Sequence, residues 1–309
     1  MMNFDMQVYG PVPSRRLGKS LGVSIIPPKV CSYSCVYCQL GKTNKYTIEP
    51  TNYFDKHSIL HQINKAIVSS HVDTITFAGD GEPTLSTDLG WLLKECRENF
   101  SIPTAVITNG SLIYLPAVTN SLKFADLVLP SVDAGCEKTF KKINCPHKDL
   151  DFLKIIKGLI NFAKTFDGEI WTETMLVKDF NDSYEEINKI SNIITQINPA
   201  RRFIMTPTRP PQMDVKKPDP ERLIYAQKIN TGSSALDYTE TGDFNSDNFG
   251  NLTDALNAIA SRHPLRLNQA QSIAKNYDED LQYLIQSDEF IKKDYNGDIY
   301  IIPSMVVNH

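Results

Sequence analysis

Three of the six cysteines in this 309-residue chain fall within eight positions, in the run Cys31-Ser-Tyr-Ser-Cys35-Val-Tyr-Cys38. A single short loop can turn thiols at that spacing onto one inorganic centre. Zinc asks for a fourth ligand. No cysteine nearby supplies one, and His57 stands nineteen residues farther on, inside a predicted helix. A 4Fe-4S cluster makes use of the shortage, because three thiolates leave one iron with an open coordination site at which a substrate can bind. Zinc, or three inert thiols, is the competing reading. The remaining cysteines, Cys96, Cys136 and Cys145, are scattered and form no disulfide framework. Each is expected to be a buried small hydrophobe, with Cys136 or Cys145 facing the pocket as the alternative.

Polar residues follow the other predicted strands. The segment Phe77-Ala78-Gly79-Asp80-Gly81-Glu82-Pro83-Thr84 sets two glycines beside two carboxylates. Glycine admits a ligand close to the backbone, and a carboxylate among carbonyls suits an ammonium group. Glu82 is the candidate, against the bland reading of an acidic turn. Thr108-Asn109-Gly110-Ser111 is by itself a turn signal. Asp133, two residues beyond Ser131, has the position of a helix N-cap. Glu173 and Lys178 mark the fifth strand. Arg209, in Thr-Pro-Thr-Arg-Pro-Pro, stands after the sixth, as a grip for a substrate anion or as a plain surface arginine.

The elements that must position these groups are legible from periodicity. Apolar runs at 21–26, 74–78, 104–107, 127–131, 169–177 and 202–205 read as six strands, with helix-length amphipathic stretches between them, as at 57–69 and 153–162. That alternation argues for an α/β chain with parallel strands joined by helical crossovers. Loops at the carboxyl ends of such strands carry the chemistry. Five prolines between Pro207 and Pro220 interrupt the pattern, marking a boundary or a wrapping loop. From residue 251 helical spacing resumes, ending in two short strands around Asn296-Gly297, a tight-hairpin dipeptide. Three helices and a hairpin suggest a winged helix. The expected division is a partial barrel over 1–212, a linker or wrapping segment over 213–250 and a winged-helix-like domain over 251–309.

Composition narrows the function classes. With 41% hydrophobic and 22% charged residues the chain is ordinary globular protein, long enough to bury a core without disulfides. The first thirty residues show no apolar stretch behind a basic start, and no run of about 18 apolar residues occurs, so a cytoplasmic protein without membrane contact is expected. A formal charge of -4 offers no chain-wide basic field for phosphates. Residues 215 to 309 hold nine Lys or Arg against fourteen Asp or Glu, so the module shaped like a nucleic-acid reader is the acidic part. Its third helix opens with Asp278-Glu279-Asp280, which would face phosphates on docking.

The CxxxCxxC spacing, with Tyr37 before the third cysteine, resembles the radical S-adenosylmethionine superfamily over residues 7 to about 212. The resemblance implies a partial (βα)6 TIM-like barrel in which Cys31, Cys35 and Cys38 bind a 4Fe-4S cluster and S-adenosylmethionine chelates the open iron. It implies that Tyr37 backs the adenine, that the Gly79, Gly81 and Glu82 segment holds the methionine amino group, and that Asn109, Ser131 and Asp133 complete the cosubstrate site. A one-electron donor such as flavodoxin or ferredoxin is implied too, and reductive cleavage to a 5'-deoxyadenosyl radical that abstracts hydrogen from a substrate. Arg16 and Arg209 are the candidate substrate contacts.

The opening Gly10-Pro-Val-Pro-Ser-Arg15-Arg16-Leu-Gly-Lys-Ser-Leu-Gly22-Val resembles a narrower set, the wyosine-type tRNA-modifying radical enzymes. Those relatives carry upstream cysteines, and this chain has none before Cys31. The leading expectation is therefore modification of a peptide, protein or small metabolite. A tRNA-modifying enzyme, disfavoured by charge, is the second reading, and a cluster-sensing winged-helix regulator the third. The intact Gly-Asp-Gly-Glu and Thr-Asn-Gly segments weigh against the third, since a sensor needs no cosubstrate pocket.

Overall fold

The computed structural model describes residues 6–304, apart from 239–241, 243, 247–248 and 278. Asp278 thus lies outside the described residues. One sheet of eight strands organises the first part of the chain, in sequential order: β1 (Val8–Ser14), β2 (Gly18–Val23), β3 (Thr74–Phe77), β4 (Thr104–Thr108), β5 (Leu127–Pro130), β6 (Glu169–Met175), β7 (Arg201–Met205) and β8 (Ser234–Leu236). β1 runs antiparallel to β2, and every later pair is parallel. Because the order never reverses, the crossovers all pass on one side, and the sheet curls into a half-barrel.

Crossover helices cover the outer face: α1 (Lys56–Ser69), α2 (Leu89–Asn99), α3 (Pro116–Leu122), α4 (Glu137–Ile143), α5 (Phe152–Ala163), α6 (Tyr184–Ile197) and α7 (Pro220–Ile229). Strand residues alternate between the two sides. Val106, Val128 and Ile170 pack with the helices, whereas Ala105, Leu127, Leu129, Trp171 and Phe203 form a second cluster inside the curl. The helices start where side chains accept orphan N–H groups: Asp55 caps α1, Asp151 caps α5 and Ser183 caps α6. Their stripes, such as Ile59, Ile63 and Ala66 on α1, enter the core.

Two of the eight strands escape sequence reading. β1 holds two prolines, which an edge strand tolerates because it pairs on one side only. β8 is three residues long and lies inside the segment expected to be a linker. Residues 213–250 therefore include α7 and an edge strand, and the sheet extends beyond residue 212. The strand expected at 21–26 starts three residues earlier, and Ser24 to Ile26 run on past the sheet.

The C-terminal part contains α8 (Leu252–Ala260), β9 (Leu265–Arg266), α9 (Leu267–Lys275), α10 (Leu281–Gln286), β10 (Phe290–Tyr295) and β11 (Asp298–Pro303). Its three strands form an antiparallel sheet ordered β9-β11-β10. Asn296 and Gly297 close the β10–β11 hairpin with φ of 53° and 85°, the two positive values a tight hairpin turn needs. The apolar core of this unit includes Tyr9 and Val12 of β1. It also hydrogen-bonds the proline-rich segment: Tyr300 donates to the Thr208 carbonyl at 2.6 Å and Tyr295 to that of Val215 at 3.1 Å. No described helix is long and apolar enough to cross a membrane.

Tyr9 is held by a close approach, since any side chain at Gly22 would overlap its ring. Gly22→Ala is expected to cost about 1–3 kcal/mol of stability by overpacking, read as a lowered urea midpoint. An unchanged midpoint would mean that Tyr9 can leave this seat freely.

Candidate active site

Cys31 ends a two-residue strand, Val30–Cys31, that pairs in parallel with Lys45–Tyr46 and closes the intervening loop at its base. Inside the loop Cys38 N–H donates to the Cys35 carbonyl at 3.0 Å, and Gly41 N–H to the Cys38 carbonyl at 3.2 Å. Thr43 Oγ1 donates to the Tyr33 carbonyl at 2.6 Å. The outer flank of the loop is laddered to residues 143–147. Ser34 N–H is shared by the Asn144 and Cys145 carbonyls, Val36 N–H donates to Ile143, and His147 N–H donates to Ser32. These bonds give one shape to a stretch with no periodic pattern.

Two buried carboxylates tie the loop to the sheet. Glu82 Oε1 accepts from Thr84 N–H at 3.0 Å and from the Thr84 and Thr108 hydroxyls at 2.6 Å each, while Oε2 accepts from Asn109 N–H at 2.7 Å. Burial raises the Glu82 pKa and these donors oppose the rise. Glu82 is thus also the cap of the short turn Pro83–Leu85, as the bland reading of an acidic turn expects. Asn109 extends the link, its amide donating to Ser32 Oγ at 2.9 Å and approaching Cys31 Sγ at 3.5 Å. Gly81 presses on the Val30 carbonyl so closely that a Cβ would collide with it.

Asp133 does not cap a helix, since α4 begins after Cys136. Its Oδ2 accepts from the Tyr37 hydroxyl and from the Asn144 amide, the latter at 2.8 Å, and its Oδ1 from Met175 N–H at 2.9 Å. Asn144 reaches Cys35 Sγ at 3.5 Å. Burial lifts the pKa of Asp133 against the pull of these donors.

Between these loops lies a cleft of about 360 Å³. Cys31, Tyr37, Cys38, Gly79, Gly81, Glu82, Asn109, Ser131, Asp133, Arg16 and Arg209 all line it. Cys35 sits behind the lining, against Asn144. The thiols are poor acids here. Burial pushes Cys31 up to about 12, with the Glu82 charge adding to the effect. Cys35 is raised well above the usual thiol range by burial, then by Asp133 and Cys38. Three half-buried thiols near the carboxylates Glu82 and Asp133 ionise more readily when a cation joins them, which is the condition a metal centre meets by displacing their protons. Among the described residues no three Cys, His, Asp or Glu side chains converge on one point. In an iron-sulfur cube each thiolate takes its own iron, so three soft donors spread along one loop fit that group.

The remaining sequence candidates find varied places. Arg16, in the cleft wall, forms an ion pair with Glu173, and the same Nη1 lies 3.1 Å from Met205 Sδ. Arg209 is at the mouth of the cleft, with Nη1 donating to Gln39 at 3.1 Å and Nη2 2.9 Å from His263 Nε2. Lys178 pairs with Asp219 at 2.7 Å and is not part of the lining. Cys96 is fully buried, whereas Cys136 and Cys145 are half-buried rather than core, and neither lines the cleft.

Several lining residues carry no sequence signal. Tyr9 comes from the unread edge strand, and Arg262 and His263 come from the turn between α8 and β9. Arg262 Nε donates to Asp80 at 2.8 Å in a nearly buried ion pair, and its carbonyl accepts from Gln39 at 2.7 Å. The C-terminal unit therefore grips both the Gly79–Glu82 segment and the residue after Cys38.

Comparison with known proteins gives the family and the fold. Residues 25–189, just over half of the chain, match the sequence model of the radical SAM superfamily. A UPF0026 protein of Methanocaldococcus jannaschii is 35% identical over 312 residues, covering 96% of each chain. The GTPase Obg of Brachyspira hyodysenteriae is 47% identical over 204 residues, which are 66% of this chain and 30% of that protein. Among solved structures, a radical SAM methyltransferase from Sphaerobacter thermophilus superposes with a TM-score of 0.55 at 13% identity, covering 70% of this chain and 65% of that one. Streptococcus suis SuiB bound to precursor peptide SuiA gives 0.53 at 18% identity, covering 70% and 48%. Such low identities speak to fold alone.

Two measurements probe these buried charges. Arg262→Met should cost about 3–5 kcal/mol, because Asp80 is left uncompensated, and adding Asp80→Asn should recover much of it. Equal losses in the single and double variants, by urea unfolding, would contradict the pairing. Burial holds the Glu173 carboxyl above its usual pKa, partly opposed by Arg16. The folded pKa exceeds the unfolded one, so this contribution is complete below the unfolded value and is lost as pH rises through the folded value. Relative to Glu173→Gln, the wild type should lose stability as pH rises from the ordinary carboxylate range toward neutrality. Parallel curves would show an unshifted group.

Proposed function

The chain belongs to the radical SAM superfamily, and from that premise we propose an enzyme that abstracts hydrogen from a peptide, protein or small metabolite by reductive cleavage of S-adenosylmethionine. The observation that carries the reading is the convergence of four segments on one cleft: the cysteine loop and the segments after β3, β4 and β5. Cys31, Cys35 and Cys38 would hold the 4Fe-4S cluster. Tyr37, Gly79, Gly81, Glu82, Asn109, Ser131 and Asp133 would surround the cosubstrate. When bound, the pair supplies one-electron cleavage of the sulfonium to methionine and a 5'-deoxyadenosyl radical.

The chain's own part is positioning and exclusion. Glu82 Oε1 is saturated by three donors and Oε2 takes one, which leaves Oε2 able to accept from an ammonium group. Asp133 holds Tyr37, the residue before Cys38, and Asn144, which touches Cys35 Sγ. Arg262, His263 and Gln39 roof the cleft and keep water from a reactive species. Arg209 and His263 present positive and hydrogen-bonding groups to an anionic part of the substrate.

We read the C-terminal unit as winged-helix-like from its three helices and three-stranded sheet, serving as this roof rather than as a nucleic-acid reader. Its acidic balance favours a substrate other than tRNA. A cytoplasmic location fits the need for a reduced centre.

Anaerobic reconstitution with iron and sulfide, followed by dithionite and S-adenosylmethionine, should yield 5'-deoxyadenosine by liquid chromatography, and Cys35→Ala should abolish it. A bound cluster with no product, with or without candidate substrates, would favour the sensor reading. Tight, salt-sensitive gel shifts with bulk tRNA would move the substrate assignment to tRNA.

A further inference from the structure

Behind the cysteine loop, on the side away from the cleft, an open depression is lined by Tyr46, Lys141, Cys145, His147 and Lys148 together with Pro146 and Leu150. We propose that this depression is the docking surface for an acidic one-electron carrier protein that reduces the centre held by Cys31, Cys35 and Cys38. The inference rests on the functional reading above.

Proximity is the first argument. The floor of the depression includes Cys145, Pro146 and His147, which continue the segment 143–147 laddered to the cysteine loop through Ser32, Ser34 and Val36. Asn144, one residue before Cys145, touches Cys35 Sγ at 3.5 Å, so a single side chain separates the floor from a cluster ligand. Tyr46, in the wall, donates to the Cys145 carbonyl at 3.4 Å and directly follows the strand residue paired with Val30. A carrier seated here lies one backbone layer from the thiolates.

The second argument is access. On its inner side the loop faces the cleft, roofed by Arg262 and His263, where substrate and cosubstrate must sit. The outer side opens to solvent.

Charge supplies the third. Lys141 and Lys148 are exposed, His147 stands between them and the rest of the floor, and no carboxylate lines the depression. The nearest acids are rim groups, Glu137 paired with Lys141 and Asp149 facing His147. In a chain of formal charge -4, a basic spot on the outer flank of the cysteine loop selects an acidic partner by sign and speeds its encounter.

The test uses the reconstituted enzyme and a flavodoxin as probe. Oxidised flavodoxin, titrated by its flavin fluorescence, should bind with an affinity that falls as salt rises. Lys141→Glu combined with Lys148→Glu should weaken binding by about tenfold or more, as expected for charge reversal at a steered interface. With reduced flavodoxin as donor the double variant should form 5'-deoxyadenosine correspondingly more slowly, while with dithionite it should match the wild type. Unaltered flavodoxin binding in the variant, or an equal loss with both reductants, would overturn the proposal. So would bulk tRNA that displaces flavodoxin and loses affinity in the variant while flavodoxin does not. Failure of the wild type to cleave S-adenosylmethionine with dithionite would instead strike the functional reading, and the docking surface would then stand or fall on the titration.

Discussion

Two carboxylates, Glu82 and Asp133, are buried where charge is costly, and the rest of the site follows from satisfying them. A buried carboxylate needs donors on most of its lone pairs. Glu82 finds them in two parts of the chain, its own turn at Thr84 and the end of β4 at Thr108 and Asn109. Asp133 finds them in Tyr37, Asn144 and Met175. Apart from the Thr84 turn, the donors come from the ends of β4 and β6, from the end of α4 and from the cysteine loop, so meeting the demand draws these segments together. The cysteine loop is caught between, through Asn109 on one side and Asn144 on the other.

The same logic explains why the C-terminal unit cannot be regarded as an appendage. Asp80 occupies a nearly buried position and its countercharge, Arg262, arrives from about 180 residues later in the chain. The unit also shares its apolar core with Tyr9 and Val12, and its tyrosines satisfy carbonyls of the proline-rich segment, which cannot pair as a regular strand. Cleft, roof and edge strand therefore form one cooperative assembly, in which a loosened roof would unsettle the segment that carries Glu82.

The cysteine loop then has two faces of different character. Its inner face meets carboxylates, glycines and a covering turn; its outer face meets a hydrogen-bonded strap and a basic, open surface. Burial that makes the thiols weak acids also makes them dependent on a cationic centre for ionisation, which couples loading of the site to its shape.

Local chemistry was legible in the sequence because it depends on short-range spacing. CxxxCxxC within eight residues, glycines beside Glu82, the Asn296-Gly297 turn and the period of the parallel strands are all statements about neighbours in the chain, and they point to the α/β sheet, the thiol loop and part of the cleft lining around it. What tertiary structure alone decided are the partnerships between distant residues. Arg16 reads as a substrate contact with no partner in sight until Glu173 is found beside it, Asp133 could be a helix cap until Tyr37 and Asn144 reach it, and β1 carries no strand signal until β2 gives it an edge to pair with. Arg262 and Asn144 have no local signal at all, because the electrostatic and hydrogen-bonding demands they meet arise only once folding has buried Asp80, Cys35 and Asp133.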